Sequence, residues 1–343
     1  MDISILNKDK ESTQSKKGEY IFQSDFMELK TQQKGKVTQT TGSWYAVLLE
    51  NGNTVQCRLR GKLKLQDLDT TNPVAVGDFV LLENTLEDGE FVITDILERQ
   101  NYIIRQSPRK EHQRHIIASN IDQFFIVATI SQPRTSLGFV DRCIAAAECY
   151  HIPVHIIINK KDLLRKKDIE KLKEWQQIYH SIAYPIHVIS ANDKADIEML
   201  KNILKDKTTL ISGHSGVGKS TILNAVNGDL RLKTGKISSK WEKGMHTTTF
   251  ATLYSIFENT FVIDTPGIKE FSILHVEPEE VSGYFLDIKE HAKSCKFNNC
   301  MHINEPDCAV LSALDDGRLA PTRYENYLNI VENIKEINYW ERK

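Results

Sequence analysis

Hydrophobic positions recur along this chain with two different periods. From Lys34 to about Ile104 the period is two. Thr54-Val55-Gln56-Cys57-Arg58-Leu59-Arg60 alternates cleanly, with Val55, Cys57 and Leu59 on one face. Lys36–Thr40, Trp44–Leu49, Phe79–Leu82 and Phe91–Ile96 read as four further short strands, separated by turns at Thr41-Gly42-Ser43, Glu50-Asn51-Gly52-Asn53 and Asp88-Gly89. Five such strands in a short stretch predict a small closed barrel of the OB type. Residues 1–33 come before it. They carry few apolar anchors beyond Tyr20-Ile21-Phe22 and Phe26-Met27, and they read as a flexible extension.

After the barrel the pattern weakens. Residues 105–118 are polar and basic, with Pro108 inside, and read as a linker that could also touch phosphate. Long apolar runs then alternate with helical spacing. Gln123–Thr129, Pro153–Ile158, Ile186–Ile189 and Lys207–Ser212 are buried-type strands. Phe139–Tyr150, Leu163–Ile182 and Asp196–Leu204 are helices. Ala251–Phe257 and Thr260–Asp264 form a hairpin across Glu258-Asn259. This alternation predicts a doubly wound sheet over residues 119–277. Residues 278–343 end in an amphipathic helix, Tyr324–Trp340, with Leu328, Val331, Ile334 and Ile337 on one face.

Composition narrows the classes. The 343 residues suffice for two or three domains. A net charge of −2 gives no global attraction to nucleic acid, so any such surface must be a local patch. Around the barrel, Arg58, Arg60, Lys62 and Lys64 with Trp44 and Tyr45 could meet RNA, but acidic residues are as plentiful. A solvated basic edge is an equal reading. No apolar run approaches the ~18–20 residues that span a bilayer, and the start lacks a secretory pattern, so a cytoplasmic chain without membrane contact is expected.

The candidate chemistry lies at the strand ends. Gly213-His214-Ser215-Gly216-Val217-Gly218-Lys219-Ser220, followed by Thr221, is a phosphate-binding loop between a strand and a helix. Its backbone N–H groups would cradle phosphate, Lys219 would reach the β- and γ-phosphates, and Ser220 would hold Mg²⁺. Asn159-Lys160-Lys161-Asp162 follows the second strand. There Asp162 would accept from guanine N1–H and N2–H₂, a donor pair adenine lacks, while Asn159 braces the loops and the Lys160 stem covers a ring face. Ser190-Ala191 follows the third strand and would offer an N–H to guanine O6. Asp264-Thr265-Pro266-Gly267 would hold Mg²⁺ through Asp264 and meet the γ-phosphate through the Gly267 N–H. Gly244-Met245-His246-Thr247-Thr248-Thr249 offers a hydroxyl for Mg²⁺, Thr248 being the favoured one.

The order is unusual. The base motif and Ser-Ala come first and the phosphate loop third, giving the order G4-G5-G1-G2-G3, a circular permutation of a P-loop GTPase. The Asp264 loop therefore runs directly into the C-terminal segment. Ile268 follows Gly267 where Ras-like enzymes place a water-orienting Gln, so unassisted hydrolysis should be slow, below about 10⁻² s⁻¹. His246 is the candidate to position or deprotonate water, with Lys219 and Thr248 completing the catalytic set; a solvent-facing His246 is the alternative. Gly216 stands where potassium-activated GTPases carry Asn, which argues against K⁺. Cys295, Cys300, His302 and Cys308 supply three thiolates and an imidazole within a short span, the donor set of a closed, structural Zn²⁺ site.

These motifs together resemble the circularly permuted ribosome small subunit-dependent GTPase A (RsgA/YjeQ) family. Val76-Gly77-Asp78 and Asn120-Ile121-Asp122-Gln123 add to the likeness, which runs from about Lys34 to the end. The resemblance implies an N-terminal all-β OB-fold barrel (34–104), a central α/β P-loop GTPase domain (119–277) and a C-terminal α-helical zinc-binding domain (278–343). It implies GTP and GDP, Mg²⁺ and one structural Zn²⁺ as ligands. It also implies late maturation of the 30S ribosomal subunit, with contacts to 16S rRNA and other assembly factors, by a monomer whose GTP hydrolysis the subunit stimulates. Met245 departs from the basic residue expected before His246, and residues 1–33 lie outside the common pattern. An RNA-binding scaffold with a vestigial nucleotide site and a zinc-dependent hydrolase are the rival readings. The intact Lys219, Ser220, Asp162 and Asp264 oppose the first; the closed Cys₃His donor set opposes the second.

Overall fold

The computed structural model describes residues 32–61, 73–84, 90–107, 110–232, 251–265 and 276–341; for 105–107, 110–114 and 337–341 it describes the backbone alone. The first five strands are β1 (Gln33–Thr41), β2 (Trp44–Leu49), β3 (Thr54–Leu59), β4 (Phe79–Asn84) and β5 (Phe91–Ile96). They pair in the order β1-β2-β3-β5-β4, and β4 closes back on β1. Only β3–β5 is parallel. The alternating residues fill the barrel: Val37, Val47, Cys57, Val80, Leu82 and Ile93 are buried together. At Gly35 a Cβ would lie 2.4 Å from Val47 Cγ1, so glycine is what lets β1 approach β2.

Residues 105–118 are not an extended linker. β6 (Tyr102–Ser107) and β7 (Lys110–Ser119) form an antiparallel hairpin. Its apolar residues, Ile103, Ile104, Ile116, Ile117 and Ala118, are gathered at its base and are buried there. The rest of the hairpin lacks period-two alternation, which is why its strands were hidden in the sequence. The Val76-Gly77-Asp78 turn fastens this hairpin to the barrel. Gly77 has φ +95°, and a Cβ there would sit 2.2 Å from Ser119 O. The fully buried Asp78 carboxylate accepts from Arg99 Nε and Nη2, both at 2.7 Å, and from Ser119 Oγ at 2.6 Å.

The α/β region contains β8 (Gln123–Ala128), β9 (Val154–Ile158), β10 (Ile186–Val188), β11 (Thr208–Ser212), β12 (Thr252–Phe257) and β13 (Thr260–Asp264). Their order is β10-β9-β8-β11-β13-β12, parallel except for β12. Helices α1 (Leu137–Cys149), α2 (Lys166–Ser181), α3 (Lys194–Leu204) and α4 (Lys219–Val226) cover the sheet. Successive strand residues point to opposite faces. Phe124, Ile126 and Ala128 pack with α1 and α2, while Phe125 and Val127 pack with α3 and α4. The phosphate-loop strand β11 is central although it is fourth in chain order among these six, the spatial counterpart of the permuted motifs. Helix α2 starts three residues later than predicted, because residues 161–163 form a 3₁₀ turn.

Barrel and α/β sheet are continuous. Gln39 of β1 pairs with Thr252 of β12. The Lys36 ammonium is 8 % exposed and donates to Thr208 Oγ1 at 2.6 Å, lying over the rings of Phe79 and Phe261. Burial pulls its pKa down to about 8.

The C-terminal part comprises a 3₁₀ segment at Pro278–Tyr284, α5 (Leu286–Ala292), α6 (Ala309–Asp315) and α7 (Pro321–Glu341). Helix α7 does more than cover its own module. It packs on α1, and Tyr327, Ile330, Val331 and Ile334 join one core with Val140 and Ile144. Arg323, 1 % exposed, crosses that interface. It donates to Asp141 Oδ1 of α1 and to both oxygens of Asp287 of α5, each at 2.8–2.9 Å, and lies over the Phe285 ring. Asn326 and Tyr179 also donate to Asp141.

Candidate nucleotide site and cysteine cluster

The phosphate loop follows β11 and turns into α4 at Gly218. Two contacts explain its glycines. A Cβ at Gly213 would lie 2.2 Å from Val127 O, and one at Gly218, whose φ is +100°, would lie 2.4 Å from Asn159 Nδ2. Val217 is fully buried and anchors the loop in the core, while Ser215 and Gly216 are exposed. The first turn of α4 carries Lys219, Ser220 and Thr221, so an anion at the loop would face the positive end of the helix dipole. Lys219 Nζ donates to Gly213 O at 2.6 Å.

Asp264 ends β13 directly beside this loop, in register with Ile211. Burial raises its pKa, with the Lys219 charge opposing; burial lowers that of Lys219, with Asp264 opposing. Asp264 Oδ1 and Ser212 Oγ are buried and make no hydrogen bond among the described residues. A hard carboxylate oxygen close to Lys219 at the phosphate loop is the kind of donor that hydrated Mg²⁺ takes up.

The base side is organised by Asn159, 2 % exposed at the end of β9. Its Nδ2 donates to Val217 O at 2.9 Å and its Oδ1 accepts from Ala191 N at 3.2 Å, so one side chain ties the phosphate loop to the Ser190-Ala191 loop. The Ala191 N–H, expected at guanine O6, is held by Asn159 instead. Lys160 adopts φ +67° and its Nζ donates to Gln132 O at 2.6 Å and Gly216 O at 2.7 Å, so its stem bridges two rims of the site. Asp162 is exposed in the 161–163 turn that follows β9. Ser190 is fixed through its N–H to Asp196 Oδ2, and Lys161 pairs with Asp193 and Asp196.

Sequence reasoning missed several supports. Asn224 pins Leu232 by a pair of 2.8 Å hydrogen bonds, and Thr265 Oγ1 donates to Ile211 O. The His214 ring lies against Phe139 of α1, 4.1 Å between centroids, and its backbone stays in the phosphate loop. His246, Thr248 and Gly267, like Met245 and Ile268, lie outside the described residues.

In the C-terminal part the Sγ atoms of Cys295, Cys300 and Cys308 and a ring nitrogen of His302 all lie within 4.8 Å of one another. His302 Nδ1 is 3.6 Å from Cys295 Sγ and 3.5 Å from Cys308 Sγ; these two sulfurs are 3.9 Å apart. A tetrahedron with Zn–S of about 2.3 Å and Zn–N of about 2.0–2.1 Å has edges of about 3.5–3.8 Å, so the residues fit the ion. The cluster is buttressed from behind. Tyr324 and Tyr327 donate to the carbonyls of His302 and Met301, and Glu305 accepts from Met301 N and Ile303 N.

Residues 96–274 match the RsgA GTPase family and residues 34–92 match the RsgA N-terminal domain. The chain belongs to the RsgA GTPase family. It is 43% identical over 308 residues to the small ribosomal subunit biogenesis GTPase RsgA of Christiangramia forsetii, covering 89% of this chain and 98% of that one. The Flavobacterium johnsoniae protein of the same name is 44% identical, over 88% and 94% of the two chains. The structure of YjeQ from Thermotoga maritima superposes with a TM-score of 0.69 at 35% identity, covering 89% of this chain and 99% of that chain. A second, YloQ, described as a circularly permuted GTPase, gives 0.66 at 29% identity over 89% and 96%. Family membership makes the chain a GTPase and its ligands a guanine nucleotide and Mg²⁺, and the likeness to YloQ accords with a permuted strand order.

Proposed function

We propose that this member of the RsgA GTPase family hydrolyses GTP on the small (30S) ribosomal subunit during its maturation, turnover timing its release from 16S rRNA. The observation that supports this is the Asn159 bridge between the phosphate loop and the Ser190-Ala191 loop. The relatives' shared name, small ribosomal subunit biogenesis GTPase, supplies the partner.

In this reading Asp162 selects guanine, Lys160 covers the base, and residues 213–221 hold the phosphates. Lys219 neutralises charge that develops on the transferred phosphoryl group. Ser220, Thr248 and Asp264 would hold Mg²⁺, which would supply positive charge against the phosphate oxygens. The Gly267 N–H meets the γ-phosphate, and His246 orients the attacking water once the subunit orders its segment. Cys295, Cys300, His302 and Cys308 hold one structural Zn²⁺. The barrel and the zinc module grip RNA, other assembly factors act at the same stage, and the protein works as a cytoplasmic monomer. Among the described residues no helix is long and apolar enough to cross a membrane.

The test is GTP turnover by the full chain with and without purified small subunits. The expected result is slow turnover alone, strong acceleration by subunits, and loss of both in Lys219→Ala. Turnover that stays flat on adding subunits would replace this reading with an RNA-binding scaffold.

A further inference from the structure

A cleft of about 570 Å³ opens between α1, the phosphate loop and α7. The volume falls within the ~300–1,000 Å³ typical of small-ligand sites. One wall is the pair of Phe139 and His214, whose rings are in contact and tilted by 36°. The facing wall is a single stripe of α7: Asn329, Glu332, Asn333 and Glu336, spaced i, i+3, i+4, i+7. All four are exposed, and their side chains make no hydrogen bond or ion pair among the described residues. Arg142 also lines the cleft, so carboxylates outnumber guanidinium two to one.

This wall is unsuited to phosphate. Two carboxylates repel an anion, and Arg142 alone does not reverse the sign. It suits a neutral, planar ring that presents N–H donors. Carboxylates accept from exocyclic amines, amides pair with a base's donor–acceptor edge, and an aromatic face stacks any base. We propose that the cleft binds an unstacked RNA base bearing an exocyclic amino group. This rests on the RNA-directed reading above and deepens it. His214 belongs to the phosphate loop, so a base stacked on the Phe139–His214 pair touches the nucleotide site from behind. Occupancy by RNA thus reports to the GTPase centre through one side chain.

The test uses the full chain and labelled single-stranded oligo-C and oligo-U, because cytosine carries an amine that uracil lacks. Oligo-C should bind about tenfold tighter than oligo-U, the discrimination of one good base contact. The Glu332→Gln/Glu336→Gln double variant should erase that preference. Asn333→Trp, which fills the cleft from an exposed position, should weaken oligo-C about tenfold, the loss of one stacked base, while GTP affinity and basal turnover stay unchanged. Ultraviolet crosslinks from oligo-C should map to Phe139 or His214. Equal binding of the two strands, or indifference to both variants, would overturn the proposal. Weaker binding of Asn333→Trp to small subunits without any change toward oligo-C would overturn it too, and would assign the cleft to a protein. A wild-type chain that subunits fail to stimulate removes the ribosomal reading, and the oligonucleotide arms still judge the cleft.

Discussion

In the proposed reading Asp162 and Gly218 serve opposite ends of the nucleotide. Asp162 is exposed in the 161–163 turn after β9, where a carboxylate is free of burial and is proposed to meet the base edge. Two charge-assisted hydrogen bonds at about 1.5–3 kcal/mol each depend on it, so Asp162→Asn should weaken GTP on the order of 10²–10⁴-fold and favour xanthosine nucleotides. Titration calorimetry with GTP and XTP checks this; equal GTP affinity would remove Asp162 from base recognition. Gly218 is constrained by both its φ of +100° and the Asn159 amide 2.4 Å from where a Cβ would stand. Gly218→Ala must strain the backbone or displace Asn159, and at about 1–3 kcal/mol GTP affinity should fall about 5–150-fold. A variant that binds GTP like wild type would show that the Asn159 bridge gives way freely.

At the scale of elements, α7 joins the C-terminal module to α1 through Arg323. Removing one partner of a buried charge network leaves the other unpaired. Arg323→Met should therefore cost about 3–5 kcal/mol in urea unfolding. The double variant Asp141→Asn/Arg323→Met should recover part of that loss, since no charge is then left uncompensated at α1; an equal or larger loss would deny the coupling. The cysteine cluster makes a separate prediction. Its four donors hold the loop between α5 and α6, which has few buried apolar side chains of its own. Metal analysis should give one zinc per chain. A strong chelator should lower the melting temperature while leaving GTP affinity within about twofold, because a structural zinc contributes folding free energy to its own module. An unchanged melting curve after zinc release would make the site dispensable.

For the whole molecule, the outer edge of the sheet carries a pH-sensitive pair. His155 Nδ1 and His187 Nε2 lie 3.1 Å apart on β9 and β10. Burial, then the neighbouring His187 and Lys207 charges, lower the His155 pKa to about 4; burial also lowers that of His187. The unfolded chain, with His near 6.5, binds more protons over that range, so stability is full above about pH 6.5 and declines as pH falls toward about 4. Urea midpoints at pH 7 and pH 5 should differ, and His155→Phe should reduce the difference; a wild-type midpoint independent of pH would contradict it.

Local chemistry was legible from the residues alone. The Gly213–Ser220 loop, the Asn159–Asp162 motif and the Cys₃His set each declare themselves by spacing, because their geometry is set within a few residues. Alternation of Val55, Cys57 and Leu59 marked the barrel, and unbroken runs such as Phe124–Val127 marked the buried sheet, because side-chain period follows backbone geometry. Contacts between distant segments had no such signal. The β6–β7 hairpin was hidden because its apolar residues gather at one end. Asp78, Asp141 and Arg323 are buried only because distant segments pack over them. The ring contact of His214 in the phosphate loop with Phe139 of α1 had no sequence signal. Sequence by itself determined the kind of site, its nucleotide and its permuted order, since those depend on short-range spacing. The tertiary structure alone decided how barrel, GTPase sheet and the C-terminal Cys₃His module join, and where the α1–α7 cleft opens. Those depend on which faces meet across long stretches of chain, and on the desolvation that only packing imposes.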